Sequence, residues 1–148
     1  MPIAVESDPR VAVIQDYFRK VDTRDPDLLD LFTDDVAFFF PKFGAGRGKA
    51  GLAGLGRRLE AWLASLDHDI PGFRYVIAGD DIVVEGTEWG MTHAGERWPD
   101  GAVSQGRFCS VFTFEGLRIR RMFIYVDPDF TSADAERIRL LRGDAEAA

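Results

Sequence analysis

The chain contains two histidines, His68 and His93, and the first stands between two carboxylates, Asp67 and Asp69. Neighbouring carboxylates favour the charged form of an imidazole, which brings its titration close to neutral pH and suits it to moving protons. His68 is therefore a candidate acid or base. A solvated loop histidine could have the same neighbours, so the fold must decide which other polar groups meet it.

Tyr17 and Asp22 are the first candidates for partners of His68. From about Asp8 to Arg24, apolar residues recur at helical spacing, which predicts an amphipathic helix. At about 100° per residue, Tyr17 lies near the middle of the apolar arc and Asp22 lies at its margin. The tyrosine hydroxyl could donate a hydrogen bond to a substrate oxygen while the carboxylate orients a base. A core tyrosine with a solvated aspartate is the alternative.

A long strand predicted from Ile82 to about His93 carries further ionisable residues. Glu85 and Glu88 fall on its opposite faces, so at most one of them can point into an interior. His93, near the end of this strand, is a candidate second imidazole. A position on a surface loop is the alternative for it.

The composition limits the functions that these residues could serve. A chain of 148 residues with 46% hydrophobic and 29% charged residues fits one globular domain. The net charge of -7 argues against nucleic-acid binding, which draws on clustered Lys and Arg. No apolar run approaches membrane-spanning length, and the N-terminus lacks an apolar targeting segment. We therefore expect a cytoplasmic protein that does not insert into membranes.

Metal and cofactor chemistry have little support in the sequence. The single cysteine, Cys109, cannot form an internal disulfide, and spacings such as Cys-x-x-Cys or His-Glu-x-x-His do not occur. Residues 46–51 spell G-x-G-x-x-G, but the strands predicted after them are antiparallel, unlike those of a nucleotide-binding fold. We expect neither a metal nor a cofactor, and we interpret these glycines as a flexible loop at a pocket mouth.

The predicted elements are helices first and then antiparallel strands, which indicates an α+β fold with helices on one face of a curved sheet. A single domain over residues 1–148 accommodates them all. After the first helix, the pattern predicts a short helix at 25–32, a strand at 36–40, a helix carrying apolar residues from 52 to 66, strands at 73–78, 82–93, 104–114 and 117–127, and a last helix at 132–142.

This order and several strings resemble the SnoaL-like branch of the nuclear transport factor 2-like superfamily, also called the cystatin-like cone fold. The strings are LFTDDV at 31–36, GDDIVVEG at 79–86, GLRI at 116–119 and YVDP at 125–128. The likeness covers about residues 8–130. Members wrap a bent, mixed or antiparallel sheet around about three helices to form a conical apolar pocket. The resemblance therefore implies a small apolar ligand, and a homodimer formed through the outer sheet face.

Some branches of the superfamily use acids that this chain lacks. Tyr17 stands where ketosteroid isomerases have a tyrosine, but Phe40 occupies the position of their base. Polyketide cyclases and limonene-epoxide hydrolases place an aspartate at a position that resembles Ile124 here. Scytalone dehydratase and the bile-acid dehydratases are more similar, because Tyr17, Asp22 and His68 look like their tyrosine, aspartate and histidine. These enzymes often add an acid or imidazole on the next strand, for which His93 is our candidate.

The sequence thus predicts a dehydratase-like lyase or isomerase, independent of cofactors, for an apolar carbonyl-bearing ring compound. In this hypothesis His68 removes a proton alpha to the carbonyl, Asp22 holds the tautomer of the imidazole, and Tyr17 donates to the enolate oxygen. A non-catalytic ligand-binding or dimerisation module, or a polyketide-cyclase-like enzyme, is the alternative. The residues predicted to line the pocket are Phe38, Phe40, Trp62, Phe108, Ser110, Phe112, Met122 and Ile124.

Overall fold

Two α-helices and eight strands lie in the residues that the computed structural model describes, 4–99 and 104–127. The helices are α1 (Pro9–Thr23) and α2 (Gly48–Trp62). The strands are β1 (Phe32–Phe40), β2 (Gly44–Arg47), β3 (Leu63–His68), β4 (Arg74–Ala78), β5 (Asp81–Thr92), β6 (Arg97–Trp98), β7 (Arg107–Glu115) and β8 (Arg118–Val126). Short 3-10 helices cover Val5–Ser7, Pro26–Leu31 and Ile70–Gly72.

The sheet is mixed. Its order is β2-β1-β8-β7-β5-β3, and β4 and β6 also pair with β5. β1 and β8 run parallel, whereas the other pairs are antiparallel. This arrangement of helices and a mixed sheet confirms the predicted α+β fold. In the described part of the chain, no helix is long and apolar enough to cross a membrane.

Local signals define both ends of α1. Pro9 begins the helix, where its missing N–H costs no hydrogen bond, and the Asp8 side chain accepts from the Arg10 N–H. Arg24 ends it in the left-handed conformation, with a φ of 55°. The buried face of α1 packs on the inner face of the sheet and carries Val11, Ile14, Tyr17 and Phe18.

The helix predicted through residue 66 is shorter in the structure. α2 ends at Trp62, and Leu63–His68 forms β3, in which Leu63 pairs with Thr92 and His68 with Glu88. The leucines at 59, 63 and 66 fit a helical period, but pairing with β5 satisfies the backbone groups of 63–68 and overrides it. His68 is therefore the last residue of a strand rather than part of a joint between elements.

The glycine-rich segment also differs from the prediction of a flexible loop. Residues 44–47 form β2, which pairs antiparallel with β1 and leads directly into α2. A Cβ at Gly46 would overlap the Phe38 ring, and one at Gly51 would lie 3.2 Å from it. Two of the three glycines of the G-x-G-x-x-G string thus make room for an aromatic side chain of the core.

β6 lies between the strands predicted at 82–93 and 104–114, and residues 100–103 of this segment lie outside the described part. The helix predicted at 132–142 lies outside it as well. The core lies between α1 and the inner face of the sheet, where Ile82, Val84 and Phe112 are fully buried. Since side chains alternate along each strand, this face also fixes which polar residues point inward.

Candidate functional site

His68 lies between two carboxylates in the interior, although these are not its sequence neighbours. Its Nδ1 is 2.5 Å from Oδ1 of Asp22, and its Nε2 is 3.1 Å from Oε2 of Glu88. Only 5% of the His68 side chain is exposed. The ring thus connects the end of α1 to β5.

Asp22 holds His68 by two contacts. Besides the contact with the ring, its Oδ2 accepts from the backbone N–H of His68 at 3.0 Å. The residue lies in the last turn of α1, at the margin of the buried face, and 14% of its side chain is exposed. Asp22 therefore fixes both the position of the β3 backbone and the orientation of the imidazole.

Glu88 reaches His68 across a strand pair. It lies directly opposite His68 in the antiparallel pairing of β3 and β5, on the inner face that Ile82 and Val84 also occupy. Its side chain is 4% exposed. Oε2 contacts the imidazole, but Oε1 is buried with no hydrogen-bond partner among residues 4–99 and 104–127. A buried polar atom without a partner is costly, which makes Oε1 a functional candidate.

The charges of the three groups depend on one another. Burial opposes the charge on His68, but hydrogen bonds to Asp22 and Glu88 outweigh it and raise the His68 pKa to about 9. Burial raises the pKa of Glu88, while the contact with His68 acts in the opposite direction. At neutral pH His68 is therefore an imidazolium, and Glu88 is a stronger base than an ordinary carboxylate.

Aromatic rings exclude water around His68. Its ring centroid lies 4.7 Å from that of Phe18 and 5.3 Å from that of Phe108, both in edge-on contacts. Phe73 packs against the same two phenylalanines, at 4.8 and 5.3 Å. Electrostatic interactions enclosed by these aromatic rings are stronger than in water because the surroundings are poorly polarisable.

Tyr17 is buried next to this group. Its ring makes edge-on contacts with Phe18, Phe32 and Phe112 at 5.0 to 5.7 Å. Burial raises the pKa of Tyr17, and the charges of Asp22 and Glu88 raise it further. The hydroxyl consequently keeps its proton and can donate a hydrogen bond.

Two adjoining cavities reach these residues. The inner cavity has a volume of about 60 Å³ and is lined by both His68 and Glu88. The outer cavity has a volume of about 300 Å³, at the lower end of the usual range for ligand pockets, and charged residues such as Arg24 and Arg57 contribute to its wall. The residues that line both cavities are Tyr17, Val21, Leu59, Leu63, Leu66 and Ile124.

The sequence matches the family model of the SnoaL-like domain over residues 14–122. The chain belongs to this family. The match includes Tyr17, Asp22, His68 and Glu88. No curated protein sequence matches this SnoaL-like chain.

Solved structures share the fold of this SnoaL-like domain. A nuclear transport factor 2-like protein of unknown function from Burkholderia pseudomallei has a TM-score of 0.69 at 20% identity, covering 90% of this chain and 97% of that one. TerC, co-crystallised with polyporic acid, has a TM-score of 0.69 at 22% identity, with coverages of 89% and 99%. A candidate polyketide cyclase from Xanthomonas campestris pv. campestris has a TM-score of 0.64 at 18% identity, with coverages of 79% and 90%. At these identities the likeness shows the fold alone.

The structure of this SnoaL-like domain brings together most of the residues singled out in the sequence. Asp22 and His68 are in contact, and Tyr17 lines the same inner cavity as His68. Of the expected pocket residues, those that line the inner cavity are Phe40, Phe108, Ser110 and Ile124, and those that line the outer cavity are Met122 and Ile124.

Four expected site residues lie elsewhere. β5 ends at Thr92, so His93 lies beyond the strand. His93 is exposed, and its Nε2 bonds to the backbone carbonyl of Glu60 at 2.8 Å. Trp62 is 46% exposed at the end of α2. Phe38 is buried against the glycines at 46 and 51, and Phe112 is buried against α1. Neither phenylalanine is among the residues that line the two cavities.

Glu88 is the site residue that the sequence prediction did not choose. The signal was present in the sequence. Ile82 and Val84 predict the inward face of β5, and since side chains alternate along a strand, Glu88, four positions after Val84, points to the same face. Glu85, of the opposite parity, faces outward beside Arg74. In the described ranges, no three or more His, Cys, Asp or Glu residues are arranged so that they could hold a metal ion.

Proposed function

We propose that this SnoaL-like protein is a cofactor-independent lyase or isomerase that acts on an apolar, carbonyl-bearing ring compound. One observation carries the proposal: a buried chain of hydrogen bonds, Asp22 to His68 to Glu88, ends at the inner wall of an apolar cavity. Two carboxylates and an imidazole are expensive to bury, so their presence in a dry interior argues for a chemical task.

Tyr17 would supply the electrostatic part of the reaction. Its hydroxyl keeps its proton, and Tyr17 is one of the residues that line both cavities. A carbonyl oxygen within its reach would accept a hydrogen bond that strengthens as negative charge develops on an enolate. The ionisable chain would take the proton from the neighbouring carbon.

A reaction in this pocket would not use the acids of the related branches. Phe40 and Ile124 line the inner cavity at the positions where the resemblance would put a base or an aspartate. TerC, a structural neighbour co-crystallised with polyporic acid, supports a small organic ligand for this pocket. The names of polyketide cyclases among the neighbours keep cyclisation as a related candidate reaction.

A non-catalytic ligand-binding module is the second candidate. Phe40 and Ile124 favour it, because each replaces an acid by an apolar side chain and extends the apolar wall. In that case the buried chain would serve to order α1 against β3. The two candidates differ in one measurable property, since only the enzyme exchanges protons with its ligand.

Proton exchange tests the enzyme proposal directly. The protein would be incubated in D2O with cyclohexanone, 1-indanone and 2-tetralone, and deuterium at the alpha carbon would be followed by NMR. We expect exchange of at least one ketone above the buffer rate, and a loss of about 100-fold to 1000-fold in Tyr17→Phe, the range for removal of one oxyanion donor. Thermal stabilisation by a ketone without exchange would favour the binding module.

We also propose a second copy of the chain as the partner of the outer sheet face. This face, defined by Phe39, Val83, Val111, Phe123 and Tyr125, is opposite the cavity. Phe123 pairs with Phe39 on β1 and with Val111 on β7, and Val111 pairs with Val83 on β5. Tyr125 is 47% exposed. Apolar side chains clustered on an outer face are typical of protein interfaces. Dimerisation through this face agrees with the homodimer that the family resemblance implies.

A further inference from the structure

We infer that Glu88, and not His68, exchanges the proton with the ligand, and that His68 is a positioning residue that keeps both of its ring protons. The inference rests on the proposed function and assigns the roles within it. It also specifies the substrate, which must place a carbon acid and a hydroxyl group next to Oε1 of Glu88.

The contacts of His68 are the first argument. A carboxylate accepts hydrogen bonds, and His68 faces one at each ring nitrogen, Asp22 at Nδ1 and Glu88 at Nε2. A neutral imidazole could donate to only one of them. With both nitrogens occupied, the ring has no free nitrogen with which to accept a proton from a ligand.

Glu88 has the free atom that His68 lacks. Oε2 is occupied by the imidazole, whereas Oε1 is buried and has no hydrogen-bond partner within the described ranges. Glu88 is also one of the residues that line the inner cavity. A ligand that reaches this cavity would give Oε1 its missing partner.

The contact with His68 favours the ionised form of Glu88. His68 on β3 is the cation in contact with it, and it opposes the effect of burial on the carboxylate. Asp22 on α1 and Asp127 after β8 act in the opposite direction and raise the pKa of Glu88. Tyr17, the other ionisable group on α1, stays neutral. Without the imidazolium, Glu88 would hold its proton more tightly and would be a poor acceptor.

A β-hydroxy ketone on a ring fits this arrangement. Oε1 takes the proton alpha to the carbonyl, and the electrons of the C–H bond form an enolate whose oxygen accepts a hydrogen bond from Tyr17. As the carbonyl re-forms, the C–O bond at the β carbon breaks, and the departing hydroxide takes the proton from Oε1 and leaves as water. The product is the conjugated enone, and Glu88 returns to its carboxylate form.

The first test needs no substrate. The full chain would be labelled with ¹⁵N in its histidine rings, and the His68 signals would be followed by NMR from pH 6 to pH 10. Two protonated ring nitrogens at pH 7 are expected. A neutral His68 ring at pH 7, with one nitrogen unprotonated, would overturn the inference whatever the protein catalyses.

The second test compares proton exchange into 2-tetralone in the wild type and in matched variants. The exchange rate of Glu88→Gln should be at least about 100-fold lower than that of the wild type, as expected for removal of a general base. Glu85→Gln, on the outer face of the same strand, should exchange at the wild-type rate. Wild-type exchange in Glu88→Gln would overturn this inference and leave the proposed function standing, whereas no exchange by the wild type with any ring ketone would remove both.

The pH profile of His68→Gln separates positioning from a structural role. Loss of the imidazolium should raise the pKa of Glu88, so the rising limb of exchange against pH should move to higher pH, with recovery of activity at the alkaline end. If the rising limb stayed at the wild-type pH and exchange by His68→Gln were lower at every pH, the inference would be contradicted.

Discussion

Asp22 and His68 join the end of the first helix to the end of β3, with Oδ1 2.5 Å from Nδ1 and Oδ2 3.0 Å from the backbone nitrogen. The two residues are 46 positions apart in the chain. One carboxylate thus closes a long loop and orients the imidazole of the candidate site. Its removal should affect stability and the charge of His68 together.

Asp22→Asn should lower the free energy of unfolding by about 3 kcal/mol, because the buried imidazolium loses a charged partner. The pKa of His68 should fall in the same variant. Chemical denaturation would measure the first effect and histidine NMR the second. Asp16→Asn, which removes an exposed carboxylate 3.8 Å from Lys20 on the same helix, should cost less than about 0.5 kcal/mol. Equal stabilities of the two variants would contradict the role of Asp22.

Stability should decrease as the pH rises from about 6.5 to about 9. The pKa of His68 is raised from 6.5 to about 9 on folding. The stabilisation is therefore complete below the unfolded value and is lost as the pH rises through the folded one. At roughly 1.4 kcal/mol per pKa unit, the rise from 6.5 to about 9 corresponds to a loss of about 3 kcal/mol.

Denaturation curves recorded across this range would measure the decrease. His68→Gln should abolish it. His93→Gln, which alters an exposed ring whose Nε2 bonds to the backbone carbonyl of Glu60 in α2, should retain it. Parallel pH dependences of wild type and His68→Gln would show that the His68 charge does not stabilise the fold.

Local patterns predicted much of this architecture. The 3.6-residue period placed Tyr17 on the buried face of α1 and Asp22 at its margin, and these positions depend on helix geometry alone. The alternation of β7 likewise predicted that Phe108 and Phe112 face inward. Such inferences succeed where one element determines the direction of a side chain.

Other features depended on contacts between distant segments. The end of α2 at Trp62 follows from the pairing of residues 63–68 with β5, which no local pattern encodes. The position of His93 depended on where β5 ends, and element ends are the least certain part of a prediction. Glu88 was assignable to the inner face by parity, but its contact with His68 required the register of β3 against β5.

Gly46→Ala should destabilise the protein by about 1–3 kcal/mol, because the added Cβ would overlap the Phe38 ring. Gly54→Ala should instead stabilise it by about 0.5–1 kcal/mol. Gly54 lies inside α2, and a Cβ there meets no atom closer than 3.7 Å. Opposite shifts in thermal and chemical denaturation are expected. A neutral Gly46→Ala would indicate that the Phe38 ring can move aside at little cost.

Ile124→Phe should weaken ligand binding without unfolding the protein. Ile124 lines both cavities, so a larger ring there would narrow the passage between them. The thermal stabilisation by 2-tetralone should fall by at least half, since ligand stabilisation follows affinity. Leu117→Phe, which adds the same ring in the exposed turn between β7 and β8, should keep the full stabilisation. A full response in Ile124→Phe would locate the ligand elsewhere.

Val111→Glu should convert a dimer into monomers. Val111 lies at the centre of the outer sheet face, between Phe123 and Val83 in the register, so a carboxylate there would have to be buried in the interface without a partner. Sedimentation equilibrium would measure the mass of each species. Leu117→Glu adds the same charge in the exposed turn between β7 and β8, outside this face, and should remain dimeric. A monomeric wild type would reject the outer face as a homodimer interface, and a dimeric Val111→Glu would assign the interface to another surface.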